Sequence, residues 1–246
     1  MDDAKGGRRR SFYGWGYEDD VVSAEELGWF ENTWSSLFKV DRFEPVPMPV
    51  ESEIALRPSR VAIPATLRDF CTDDRHERLF HTWGRSVHDI AKVTPRRDFS
   101  NPPDAVALPR DEADIAAVLD WCGANGYAAV PFGGGSSVTG GVNHTRDERY
   151  KGLVTIDLRH LNRGLEVDAT SQAARIQAGV LGPAMERQLK PTGLTMRFFL
   201  QAWEFSSLGG WIATRAAGHY ATNYTQIDDH IESLRVVTPA GTLASH

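Results

Sequence analysis

Cysteine is nearly absent from this 246-residue chain, which holds only Cys71 and Cys122, far apart in sequence. Two such residues match no disulfide framework and no zinc spacing, so a reducing, cytoplasmic setting is expected. Cys122 falls on the apolar face of a predicted helix, where a thiol packs as a small hydrophobe. Basic residues are outnumbered, 27 Lys and Arg against 33 Asp and Glu, for a formal net charge of -6. That balance counts against a nucleic-acid partner, which wants a basic face. No apolar run approaches the roughly 20 residues of a membrane-crossing helix. Arg8-Arg9-Arg10-Ser11-Phe12 has the look of a twin-arginine signal, but no hydrophobic segment follows it. It reads instead as a basic, mobile leader, followed by three aromatics, Tyr13, Trp15 and Tyr17, available for docking. The histidines are scattered without a cysteine or carboxylate to complete a site, so no metal is expected. His81 and His88, at i and i+7 on one predicted helix, are read as structural.

Lys and Arg are also missing between Arg110 and Arg146, and that gap contains the most informative motif, Pro131-Phe-Gly-Gly-Gly-Ser-Ser-Val-Thr-Gly-Gly141. Five of its eleven residues are glycine, and it follows the apolar run Tyr127–Phe132. Glycine lets the backbone turn sharply and approach a ligand closely. Successive main-chain N–H groups in such a turn form a concave anion site. With no basic residue nearby, the expected phosphate is held by main-chain N–H groups and by the hydroxyls of Ser136 and Ser137. The motif is not a P-loop, because no Gly-Lys-Ser/Thr follows. It is a poor dinucleotide fingerprint, because Val138 stands where the third glycine belongs. Asp157, at a tempting distance for a ribose-binding acid, reads as a strand-end residue.

The rest of the chain frames this loop. Ser23-Ala-Glu-Glu26 is a capping box that opens a helix to about Phe38, with Leu27, Phe30, Trp34 and Leu37 as packing residues. Prolines from Pro45 to Pro64 predict an extended segment, Leu67–Cys71 a short helix, and Asp73–Arg78 a loop. Ala105–Leu108 is a strand. Asp111 caps a helix that ends near Gly126, and Tyr127–Phe132 is a second strand. This βαβ pattern predicts that the two strands are parallel. Leu153–Leu158, Leu165–Asp168, Ala173–Ala178 and Ile231–Thr238 are further strands, and Gly182-Pro183 opens a helix. The return strand of the last hairpin has barely begun at His246, so the chain is expected to be the N-terminal part of a longer protein.

Several segments together resemble one family. The glycine loop, Trp203-Glu-Phe-Ser-Ser-Leu-Gly-Gly-Trp211 and Thr214-Arg-Ala-Ala-Gly218 are similar to those of the alkyldihydroxyacetonephosphate synthases. These are FAD-linked oxidase superfamily members with the vanillyl-alcohol-oxidase-type FAD fold. Phe80–Ile90, Gln188-Leu189 and Trp15-Gly-Tyr17 carry the likeness further. The glycine loop alone marks the superfamily; the Glu-Phe-Ser-Ser-x-Gly-Gly-Trp segment marks the ether-lipid branch. The resemblance implies an α+β fold. Residues 1–98 would form a helical and extended N-terminal region, and residues 99–246 an FAD-binding domain of two α/β subdomains, incomplete at its C-terminus and without the cap.

By position, the resemblance assigns cofactor contacts to Pro131, Phe132, Gly133, Gly134, Gly135, Ser136 and Ser137 around the FAD pyrophosphate. A second stretch comprises Gln201, Ala202, Trp203, Glu204, Phe205, Ser206 and Ser207; a third comprises Thr214, Arg215, Ala216 and Ala217. For Arg215 the competing reading is a structural ion pair. Ser136 stands where covalent relatives often place histidine, so the FAD is expected to be noncovalent. Ala202-Trp203 departs from the synthases, which tend to have Ser and an aliphatic residue there. Catalytic residues are expected beyond His246. The implied reaction exchanges the acyl chain of acyl-dihydroxyacetone phosphate for a long-chain alcohol. Two alternatives stay open: an FAD-linked dehydrogenase or oxidase of a 2-hydroxy acid or alcohol, which the same fold supports, and a non-catalytic nucleotide-binding module. A lipid or hydroxy-acid substrate, peripheral membrane contact and a homodimer complete the expectations.

Overall fold

The computed structural model describes residues 7–41, 43, 46–145, 147–221 and 226–245. In chain order its elements are α1 (Ala24–Phe38), β1 (Cys71–Thr72), α2 (Arg75–Phe80), α3 (Val87–Val93), β2 (Ala105–Ala107), α4 (Glu112–Asn125), β3 (Tyr127–Phe132), β4 (Gly152–Asp157), β5 (Gly164–Asp168), β6 (Ala173–Ile176), α5 (Gly182–Leu189), α6 (Leu208–Ala213), β7 (Arg235–Thr238) and β8 (Gly241–Ala244). The fold is mixed α+β, as expected.

The main sheet has the order β1-β2-β4-β3. β2 and β3 are parallel to each other, but both pair with β4, which lies between them. The βαβ reading of two parallel strands is met, with β4 inserted between them. Every residue of the central strand β4 is buried, including Thr155 and Asp157, whereas β3 at the edge is mostly half-buried. α4 starts where the Asp111 carboxylate accepts the Asp114 N–H at 2.9 Å, and it ends at Gly126 with φ +69°. Its Val118 and Cys122 join Ala105, Ala107, Val154 and Ile156 in the core beside the sheet. Burial pushes the Cys71 and Cys122 thiols up to about 12.

A second layer holds the β5–β6 hairpin, α5 and α6 around Val180, Met185, Phe198, Leu208 and Trp211. The β7–β8 hairpin is tied back to the start of α4 by Arg235 on Glu112 at 2.8 Å.

The N-terminal region is part of this body. β1 pairs antiparallel with β2. The cores on both sides of the sheet draw residues from before and after position 98. Asp104 is fully buried and accepts from Arg57, from Arg60 at 2.7 Å and from the Leu153 N–H at 2.8 Å, joining the extended segment to β2 and β4. Residues 7–20 are not a mobile leader: Arg10 bridges to Tyr17, and Arg10, Ser11 and Phe12 are buried. Residues 1–6 lie outside the described part.

Other expectations shift as well. α1 forms behind the Ser23–Glu26 capping box, but none of its residues is buried. Its Phe30, Trp34 and Phe38 stack on one another, with centroids 5.5 and 5.3 Å apart, rather than on a core. Residues 65–67 make a short 3₁₀ turn and Cys71 is in a strand, where a helix was expected. Helix α2 replaces the expected loop because the Asp74 carboxylate caps it at the Glu77 N–H, 3.0 Å away. His81 ends α2, and Ser86 opens a new capping box, so His81 and His88 are not on one helix.

Candidate cofactor site

β3 and β4 end side by side at Phe132 and Asp157. The glycine loop leaves the carboxyl end of β3, which is where open parallel sheets place their ligand crevice. Phe132 anchors the start of the loop. Its ring is 2% exposed and lies 4.5 Å from the His81 ring and 5.9 Å from the Phe80 ring, centroid to centroid. Only its main chain is available to a ligand.

Beneath the loop end is a buried charge network. His81 Nε2 lies 2.8 Å from the Asp157 carboxylate, and its Nδ1 lies 2.6 Å from the Glu77 carbonyl. Arg159 spans Asp157 at 2.6 Å and Glu77 at 2.8 Å. Burial pushes the Asp157 carboxyl up, but Arg159 and His81 more than reverse this and hold it well below the usual carboxylate range. Asp157 is thus a strand-end residue committed to ion pairs, and His81 is structural.

The second stretch presses directly on the loop. A side chain at Gly133 would overlap the Ser207 hydroxyl, and one at Gly134 would overlap the Phe205 carbonyl. Gly134 is therefore required for the close approach of two backbones. Gly135 has φ +75°, a conformation glycine adopts without strain, and its carbonyl accepts the Arg85 main-chain N–H at 2.7 Å. The main-chain N–H groups of Gly133, Gly134, Gly135, Ser136 and Ser137 have no acceptor among the described residues. Ser137 Oγ accepts the Gly141 N–H at 3.0 Å and fixes the turn, while the Ser136 hydroxyl has no protein partner among those residues.

Ser206 and Ser207 are buried. Ser206 Oγ accepts the Trp211 indole N–H at 2.7 Å, and Ser207 caps α6. These hydroxyls are used by the protein itself, so a ligand would meet the main chain of this stretch. Trp203 fits against Gly182, where no side chain has room, and its buried indole N–H has no partner. Gln201 and Glu204 are exposed, and Ala202 is half-buried.

The third stretch is placed differently. Thr214 Oγ1 donates to the Gly210 carbonyl at 2.9 Å. The Ala216 N–H donates to Trp211, and Ala217 bridges to Gln226. Arg215 is exposed and paired with Asp228 at 2.5 Å, the structural alternative to a flavin contact.

The family of FAD binding domains matches residues 103–245, more than half of the chain. This chain belongs to the FAD-linked oxidase family. FAD is its cofactor. The site fits that group: a row of unpaired main-chain donors at a sheet end suits a diphosphate. Among relatives, the alkyldihydroxyacetonephosphate synthase of Dictyostelium discoideum is 36% identical over 177 residues, 72% of this chain and 28% of its own. The D-2-hydroxyglutarate dehydrogenase of Pantoea ananatis is 32% identical over 142 residues, 56% of this chain and 13% of its own. A solved alkyldihydroxyacetonephosphate synthase superposes with a TM-score of 0.82 at 29% identity, over 96% of this chain and 47% of its own. The chain thus spans less than half the length of the synthases it matches.

Two residues beside this FAD-linked oxidase site were missed from sequence. The Arg10 guanidinium lies 4.2 Å from the Phe205 ring centroid, and that of Arg85 lies 4.6 Å from the Phe80 centroid. Trp15 and Tyr17 also flank Phe205, each at 6.0 Å. The one available signal was the lack of any cation near the glycine loop.

Proposed function

We propose that this chain is the FAD-binding part of an alkyldihydroxyacetonephosphate synthase-like enzyme of ether-lipid synthesis. The reaction is acyl-dihydroxyacetone phosphate plus a long-chain alcohol giving alkyl-dihydroxyacetone phosphate plus a fatty acid. The observation that carries the reading is that the solved synthase matches 96% of the chain, the N-terminal region included, and not only the flavin domain.

Bound FAD supplies an electron sink for the exchange, with no net oxidation. The protein's part is to bind and orient it. The main-chain N–H groups of Gly133–Ser137 hold the diphosphate without covalent attachment. The main chain from Gln201 to Ser207 forms the facing wall, and Phe132 and the Asp157 network keep the loop end rigid. Thr214, Ala216 and Ala217 line the same cofactor further along, while Arg215 stays paired with Asp228. A long-chain alcohol partitions into lipid, so peripheral membrane contact from the cytoplasmic side, by a homodimer, belongs to the same proposal.

The test uses the full-length protein. Incubated with acyl-dihydroxyacetone phosphate and an isotope-labelled fatty alcohol, it should form labelled ether product and release fatty acid. A 2-hydroxy acid should leave the flavin oxidised under anaerobic conditions. Rapid bleaching by such an acid without exchange would sink the synthase reading in favour of a dehydrogenase.

A further inference from the structure

The glycine loop has no Lys or Arg of its own between Arg110 and Arg146. The fold nevertheless brings two cations against it from elsewhere. Arg10 is 5% exposed and Arg85 is 2% exposed. Arg10 stacks on Phe205, whose carbonyl abuts Gly134. Arg85 donates its main-chain N–H to Gly135 and stacks on Phe80, which packs on Phe132. Both guanidinium groups therefore touch residues that touch the loop.

Neither cation has an acid partner among the described ion pairs. Arg85 is held by carbonyls alone: Trp83 at 2.7 Å, and Gly84, Ser11 and Phe80 at 3.1 Å. Its Nε has no acceptor. Arg10 is less satisfied still, with no acceptor for Nε or for one terminal nitrogen. An unpaired buried charge is destabilising unless a partner arrives. Burial pushes Arg10 down to about 10, and burial with the nearness of Arg10 pushes Arg85 down to about 9. Arg159, the third guanidinium near Phe80, differs because Asp157 and Glu77 already neutralise it.

We infer that Arg10, backed by Arg85, is a phosphate-binding residue that the N-terminal segment contributes to the glycine-loop site. The Arg10–Tyr17 bridge and the packing of Trp15 and Tyr17 on Phe205 hold the segment in place. The guanidinium carbon sits 4.2 Å from the Phe205 ring centroid, and the buried Nε and one terminal nitrogen have no acceptor, so donors are available to an anion beside the loop. Arg10 thereby gives the loop the fixed charge its own sequence lacks. The inference rests on the loop being the diphosphate site. The phosphate has two sources, the diphosphate of FAD or the phosphate of a phosphorylated substrate.

The test compares unmutated full chain with Arg10→Met, which keeps the length and the stacking but removes the charge, and with Arg10→Lys. Apoprotein is titrated with FAD and with riboflavin, which has no phosphate, and flavin fluorescence is followed. Arg10→Met should weaken FAD by about 10- to 100-fold, the loss of a charged hydrogen bond. It should leave riboflavin unchanged, with Arg10→Lys in between. If FAD affinity holds but the FAD-loaded variant loses dihydroxyacetone phosphate by the same factor in calorimetry, the phosphate is the substrate's and the inference stands. Equal losses for FAD and riboflavin mean a structural role and overturn it, as does unchanged affinity for both FAD and dihydroxyacetone phosphate. Should Arg10→Met not fold, Arg10→Gln and Arg10→Lys carry the same comparison. Uptake of FAD by the unmutated chain tests the loop assignment separately.

Discussion

His144 is buried with its Nε2 2.9 Å from the Thr155 hydroxyl. Burial, helped by the neighbouring His81, lowers its pKa from 6.5 to about 4. Between those values the unfolded chain binds the proton and the folded chain does not. The stability tied to neutral His144 is therefore complete above about pH 6.5 and drains away as pH falls toward 4, by about 3 kcal/mol. Urea midpoints at pH 7 and pH 5 check this: the unmutated chain should weaken at pH 5, and His144→Gln should weaken much less. Residues of this kind were not legible beforehand. The sequence shows a histidine, but its environment is set by contacts from distant segments. The same holds for Asp157, whose place at a strand end could be read while its tie to His81 and Arg159 could not.

Among elements, those closed by local chemistry were readable. α1 and α4 begin at Ser23 and Asp111 because those side chains satisfy the free N–H groups of a first turn, and α4 ends where Gly126 adopts positive φ. α2 escaped notice because its apolar residues are few and its Arg78 and His81 are buried through polar contacts that only the fold creates. The glycine loop was visible from composition, but the reason for Gly134 was only half visible. Its neighbour is the Phe205 carbonyl, more than an element away. Gly134→Ala should consequently lower stability by about 1–3 kcal/mol even without cofactor, as overpacking does, and FAD retention should fall with it. Thermal melts of the apoprotein decide the matter. A variant with the normal melting temperature would show that the two backbones can part freely.

At the scale of the whole molecule, the α+β class and the cofactor followed from motifs, whereas the unity of the chain did not. Composition suggested a mobile leader and a proline-rich approach to a separate domain. Instead Asp104 fastens the approach to the sheet. Burial pushes its carboxyl up, and Arg60 and Arg57 more than compensate, holding it well below the usual range. Asp104→Asn leaves two cations short of their partner and should destabilise the whole fold by about 3–5 kcal/mol. A single unfolding transition at lower denaturant is expected, and separate loss of one part alone would show that the regions are independent.

The position of β4 also bears on how the molecule is born. Its two neighbours in the sheet are both earlier in the chain. A ribosome that has made β2 and β3 therefore displays two strands with a slot between them, and nothing yet synthesised can close it. Folding of this half has to wait for translation to pass Asp157, and a nascent chain paused before that point would offer its raw edges to chaperones or to other nascent chains.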